Sequence, residues 1–277
     1  MKPKNIPDAG LTVLGRAVLT IGRKARPIVS DTQHQFISDA LDQGHIAQYK
    51  RFFAFADNND VPLTYYYLLS QRAQMAAMLD RAFTFPIPGV VHIANAMQLV
   101  DEACSASPFL IEVDVHQMPF LKGEKIFVEF DVRFKQGGIT KILCSSRYLV
   151  RRGKSPAPPL NEDLSKFGER RTVANVVLQS DIGRRYARLS GDLNPIHLWP
   201  WSAKFLGFKQ PIAHGMYLVG MTEASLKLEQ NVPIKRIHVR FINPAVIPGD
   251  LEISKAHETF QLGQGNTLLA VGKYALN

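Results

Sequence analysis

Cysteine is scarce: the 277 residues include two, Cys104 and Cys144, far apart and outside any C-x-x-C spacing. That excludes a disulfide framework and a cysteine zinc site, so both read as ordinary buried thiols. No window of 18 residues is apolar throughout, and the N-terminal run LTVLGRAVLTIG is broken by Arg16 and glycines. Neither a membrane-spanning helix nor a secretory signal is expected, and a cytoplasmic location follows by default. Two catalytic signatures are also absent. There is no H-E-x-x-H for zinc hydrolysis and no G-x-S-x-G elbow. No nucleic-acid motif is present, and aromatics do not interleave with the basic residues.

The remaining composition is that of a globular chain, 46% apolar and long enough for two domains of about 130 residues. Basic and acidic residues balance up to residue 140, so the whole formal charge of +9 falls beyond it. Arg170, Arg171, Arg184, Arg185 and Arg188 are prominent there. A polyanionic partner fits this asymmetry, and nucleic acid is not expected as that partner because its motifs are missing.

Taken in order, the N-terminal segment suggests a strand around AVLTIG and a helix near DTQHQFISDALDQG. The aromatic run YKRFFAFADNN reads as a strand ended by a turn. VPLTYYYLLSQRAQMAAMLDRAF has helical composition, FPIPG breaks it, and GVVHIANAMQLVDEAC reads as a second helix. FLIEVDVHQM, EKIFVEFDVRFKQGG and ITKILCSSRYLVRR alternate as three strands, which makes an α+β unit. Residues 151–165, with three prolines and no periodicity, read as a linker between an N-terminal domain over 1–150 and a C-terminal domain over 166–277. The latter adds a long helix from Gly215, then strands in KRIHVRFI, LEISKAHETF and NTLLAVGKYALN, with QLGQG as a turn.

Chemical specificity concentrates in residues 186–215, YARLSGDLNPIHLWPWSAKFLGFKQPIAHG. Asn194 suits an N-cap and Pro195 a first helical position, which puts Asp192 in the preceding turn and His197 in the first helical turn, both able to face one cleft. Gly215 opens the apolar helix, where its free N–H at the positive end of the dipole can meet a developing negative oxygen. Such a set suits acid–base work on a carbonyl compound. Ser190 is the nearest nucleophile, but Leu189 and Gly191 deny it an elbow, and it stays a substrate-binding candidate. A metal is not expected, because His197 and His214 lack i,i+4 spacing.

Y-A-R-L-S-G-D-L-N-P-I-H followed by P-I-A-H-G-M resembles the hydratase-2 signature of MaoC-like dehydratases, the (R)-specific enoyl-CoA hydratases with the hot-dog fold. The resemblance implies that Asp192 and His197 hold and activate a water, that Asn194 shapes the loop, and that Gly215 N–H receives the thioester oxygen. His214 either positions that loop or touches substrate. The chain departs from the pattern at Trp199, two after the active histidine, and at Glu223 on the long helix. GVVHIANAMQLV lies over PIAHGMYLVGMT at an offset of 122, with His92 over His214, and MPFLKGEKIFVEFDV answers NPAVIPGDLEISKAH. With this repeat, the resemblance implies an α+β double hot-dog fold, two antiparallel sheets each wrapping a long helix and joined as a pseudo-dimer.

Ile93 then stands at the place of Gly215 and D-x-N-P-x-H is missing, so the first half is expected to be catalytically silent. Phe83, Phe85, Pro86, Ile87 and His92 are expected to line or border an acyl tunnel. The expected reaction is (R)-specific hydration of trans-2-enoyl-CoA or dehydration of (3R)-hydroxyacyl thioesters, with no cofactor beyond the CoA thioester substrate. A lyase on a branched or dicarboxylic acyl-CoA and a non-catalytic acyl-thioester binder are the alternatives. The resemblance also implies that the phosphates of coenzyme A or an acidic acyl carrier protein answer the basic C-terminal half, and it allows a homodimer of double hot dogs.

Overall fold

Apolar residues alternate with polar ones along β4 (Phe109–Gln117) and β5 (Ile126–Gln136), so Ile111, Val113, Val128, Phe130 and Val132 point inward. Their other face carries ion pairs, Arg133 to Asp114 at 2.6 Å and to Glu112 at 3.2 Å, and Arg147 to Glu129 at 2.7 Å. Partly exposed pairs of this kind contribute about 0.2–1 kcal/mol each. The burial of the inner face holds the sheet.

The computed structural model describes residues 3–276, apart from 8–9, 25, 27–30, 57, 89, 119–124 and 152–168. The remaining elements are β1 (Lys4–Asn5), α1 (Leu11–Val18), β2 (Thr32–Ser38), α2 (Gln43–Phe53), α3 (Tyr66–Leu79), β3 (Val91–Leu99) and β6 (Ile139–Arg151). Then come β7 (Arg171–Leu178), α4 (Ile182–Ser190), α5 (Pro200–Phe205), α6 (Gly215–Gln230), β8 (Arg236–Phe241), β9 (Gly249–Ala256), β10 (Thr259–Gln264) and β11 (Thr267–Ala275).

One 11-stranded sheet runs β1-β2-β4-β5-β6-β3-β8-β11-β10-β9-β7, antiparallel except for β1 beside β2. Outward from the β3–β8 seam, one side runs β6, β5, β4, β2 and the other β11, β10, β9, β7. Each side is therefore the same motif: an outer strand, a central helix, a seam strand and three further strands. Antiparallel pairing from Ala94 with Arg240 to Gln98 with Arg236 makes the two halves one sheet. This is the double hot dog.

Both central helices are apolar on nearly every side, as a helix wrapped by a sheet must be. In α3 Tyr66, Leu68, Leu69, Ala73 and Ala77 are buried; in α6 Met216, Leu218, Val219, Thr222 and Leu226 are. The C-terminal carbonyls of α3 are closed by Arg23, whose guanidinium donates to Met78 O, Leu79 O, Asp80 O and Phe83 O at 2.6–3.1 Å. Glu223 lies on α6 away from Asp192 and His197. Its carboxylate accepts from Leu63 N at 2.7 Å, from Thr64 N at 2.8 Å and from the Thr64 hydroxyl, tying α6 to the turn before α3.

Several expectations are corrected. The helix expected at 89–104 is in part β3, so the helix matching α6 is α3, and His92 does not lie over His214. By strand order β5 answers β10 rather than β9. TQHQFIS is strand β2, not a helix, and AVLTIG is helical, finishing α1 and a 3₁₀ turn at Leu19–Gly22. YKRFF belongs to helix α2. LEISKAHETF belongs to two strands, reversing at His257 with its φ of 50°, and QLGQ of the expected turn belongs to the second. Cys104 is exposed, while Cys144 is buried. Beyond Arg151 the expected linker lies outside the described residues. Among those described, no helix is long and apolar enough to cross a membrane.

Candidate active site

Helix α4 ends at Gly191, whose φ of 77° turns the chain sharply toward the site. Ser190 Oγ donates to Tyr186 O at 2.8 Å and accepts from Asp192 N at 3.1 Å, fixing the start of the turn. The carboxylate of Asp192 accepts from Asn194 N at 3.1 Å through Oδ1. Asn194 caps the 3₁₀ turn Pro195–His197 by accepting from Ile196 N, with Pro195 at its first position. Three consecutive side-chain-to-backbone bonds thus carry the chain from α4 to His197.

Gly183 in α4 permits that packing. A Cβ there would sit 1.9 Å from His197 O, so the turn could not approach the helix. His197 Nδ1 bonds Ile212 O at 2.7 Å. A carbonyl only accepts, so Nδ1 carries the proton and Nε2 keeps its lone pair. His214 Nε2 bonds Asp192 O at 3.1 Å in the same sense, leaving a buried Nδ1 without a partner. The two imidazoles stack with centroids 3.7 Å apart, and Tyr186 packs edge-on to His214 at 4.9 Å.

Burial lowers the pKa of His197, against the pull of Asp192. Burial and the neighbouring His197 push His214 down to about 3. Burial alone would raise Asp192. Facing His214 and His197, and accepting from Asn194 N–H and the Gln71 amide, it is instead held below its ordinary value. Near pH 7 the site therefore holds a carboxylate beside two neutral imidazoles.

Asp192, His197, His214 and Gly215 line one cavity of about 570 Å³. Its walls continue along α3 through Gln71, Met75 and Met78 to Ile87 and Ala17, all from the first half of the chain. Trp201 and Phe205, 72% and 88% exposed, stand on α5 at its rim, and Trp199 stacks on Trp201 at 6.1 Å. Gly215 opens α6, and a Cβ on it would lie 2.7 Å from the Phe241 ring.

Of the expected tunnel residues, Ile87 and His92 line the cavity. Phe85 does not; it is fully buried, edge-on to Phe83 in the core. His92 is stacked between Tyr67 and Tyr148, and burial pushes its pKa down to about 4. Sequence reasoning missed Gln71, Gly183 and Phe241. Gln71 Nε2 donates to Asp192 Oδ2 at 2.7 Å across 121 residues, a proximity no local motif encodes.

Asp192, His197 and His214 bring their polar atoms within 4.8 Å of one another, close enough to raise the question of a metal ion. Stacked imidazoles send their lone pairs side by side rather than to one point, and His214 Nε2 is committed to Asp192 O. The arrangement suits a shared water and proton transfer better than coordination.

Residues 165–275 match the MaoC like domain family. The 3-hydroxyacyl-thioester dehydratase X of Mycobacterium tuberculosis is 28% identical over 217 residues, covering 75% of this chain and 74% of that protein. The peroxisomal enoyl-CoA hydratase 2 of Arabidopsis thaliana is 33% identical over 153 residues, 48% of this chain and 49% of that one. The crystal structure of HtdX from Mycobacterium tuberculosis superposes with a TM-score of 0.71 at 21% identity, over 88% of this chain and 99% of that chain, which supports the fold. The matched segment supplies Asp192, His197 and Gly215 inside a double hot dog, so the C-terminal half of the chain belongs to the MaoC like domain family, and its likeness to named hydratases and dehydratases supports a hydro-lyase.

Proposed function

We propose that the protein adds water across the double bond of a trans-2-enoyl-CoA to give the (3R)-hydroxyacyl-CoA, or runs the same step backward. A water held between Asp192 and His197 gives a proton to His197 Nε2, and its oxygen attacks C3. The electron pair of the double bond moves toward the thioester carbonyl, where Gly215 N–H at the head of α6 opposes the negative charge. A donor of this kind is worth about 3 kcal/mol in the transition state. His197, now an imidazolium steadied by Ile212 O and Asp192, returns the proton to C2. One water has been added and the imidazole is neutral again.

The observation that carries this reading is the proton placement. The bond from His197 Nδ1 to Ile212 O leaves Nε2 as a base beside an ionised carboxylate. The acyl tail runs along Met75, Met78 and Ile87, so the first half, which lacks D-x-N-P-x-H, serves as the tail pocket and is catalytically silent. Because one imidazole removes and returns the proton, addition is syn. Hydration of crotonyl-CoA in deuterium oxide, followed by NMR of the product, is expected to give one diastereomer with (3R) configuration and deuterium added on the same face as oxygen. An anti product or a (3S) product contradicts the mechanism.

A further inference from the structure

Asp192 holds its two oxygens differently. Oδ1 accepts from Asn194 N within its own turn, whereas the donor to Oδ2 is Gln71 Nε2 at 2.7 Å, on the central helix of the other half. Gln71 lines the same cavity two turns from Met78, on the α3 face that continues into the tail pocket. Groups facing Asp192 from the surrounding elements are His197 in the 3₁₀ turn, His214 before α6, Tyr186 on α4, Tyr67 on α3, Tyr148 on β6 and His92 on β3. None of these donates to Oδ2: His214 Nε2 lies 4.0 Å from it and is bonded to Asp192 O. Among the described residues, Gln71 is the partner that fixes the second oxygen.

We infer that Gln71 is a positioning residue for hydration, holding Asp192 Oδ2 so that the carboxylate stays ionised and its remaining lone pairs face the shared water. The inference rests on the hydratase reading above. It means that the half without D-x-N-P-x-H, though it holds no catalytic residue, positions one in the other half besides forming a tail pocket. A side-chain amide suits the task because it donates without bringing a charge that would compete with His197 for the carboxylate. A carboxylic acid at the same place would face Asp192 with a like charge and raise its pKa.

The test uses the full-length chain, with Gln71→Leu to remove the donor and Gln71→Glu to keep size and shape while reversing the electrostatics. Two readouts are needed: kcat and KM for crotonyl-CoA across pH, and the titration midpoint of the Asp192 carboxyl carbon by ¹³C NMR, assigned by its loss in Asp192→Asn. In Gln71→Leu, kcat is expected to fall about tenfold, the size of one lost hydrogen bond to a charged group, with KM within about twofold. The Asp192 midpoint is expected to rise by about one unit in Gln71→Leu and further in Gln71→Glu. The acidic limb of the kcat profile should follow it. An unmoved midpoint and wild-type kcat in both folded variants, beside an inactive Asp192→Asn, overturn this inference alone. Asp192→Asn turning over at the wild-type rate removes the hydratase reading and the catalytic meaning of Gln71 with it.

Discussion

At Gly215 the absence of a side chain matters more than backbone freedom. The Phe241 ring presses where a Cβ would be, so Gly215→Ala forces that ring or the head of α6 to move. We predict that kcat for enoyl-CoA hydration falls at least about tenfold in Gly215→Ala, since a displaced oxyanion donor loses much of its value. Adding Phe241→Leu should restore part of it. Unchanged kcat in the single variant would mean that this amide does not face the reacting oxygen. Asn194, Pro195 and His197 were legible in the sequence because capping and the proline at the first helical position are local rules, and the 3₁₀ turn obeys them. Gln71 was not legible, because its role depends on the tertiary path that carries α3 past Asp192.

Among elements, α4 and the 3₁₀ turn of His197 form the closest joint in the site. Alanine in place of glycine within a helix ordinarily stabilises by about 0.5–1 kcal/mol. At Gly183 the new Cβ would meet His197 O at 1.9 Å, and forced overpacking costs about 1–3 kcal/mol. Gly183→Ala is therefore expected to lower Tm and to reduce kcat by a larger proportion than its stability loss explains. A stabilised, fully active variant would contradict the packing described. The misread elements share a cause. The aromatics of YKRFF suggest a strand, yet Ile46, Tyr49, Lys50 and Phe53 are buried at helical spacing and Asp42 accepts from His45 N at the helix start. In β3 the Ala and Met content favoured a helix, but alternation wins because Asn95 and Met97 turn inward beside the seam.

For the molecule as a whole, the duplication was visible in the sequence although its correspondences were misplaced. Strand order corrects them, since the helix-to-helix match is α3 with α6. Folding also buries three neutral histidines around the cavity: His214, pushed down to about 3, His92, down to about 4, and His197, also lowered. The unfolded chain takes up protons at these imidazoles near their ordinary value of 6.5, while the folded chain resists until far lower pH. Protons therefore favour the unfolded state across that window, and stability falls as pH drops below 6.5. Scanning calorimetry should show Tm declining between pH 6.5 and 4.5, before most carboxylates titrate. His92→Phe should flatten the slope. A Tm constant over that range would mean that these rings are not buried neutral.

The central claim is that Asp192 and His197 act on one water in the second half of the fused pair. It is tested most directly by the loss of enoyl absorbance with crotonyl-CoA and longer trans-2-enoyl-CoAs, comparing wild type with Asp192→Asn and His197→Ala. The account predicts rapid hydration by the wild type and a loss of at least about a hundredfold in each variant, the scale of a removed acid–base group. Rates in either variant equal to the wild type would contradict it.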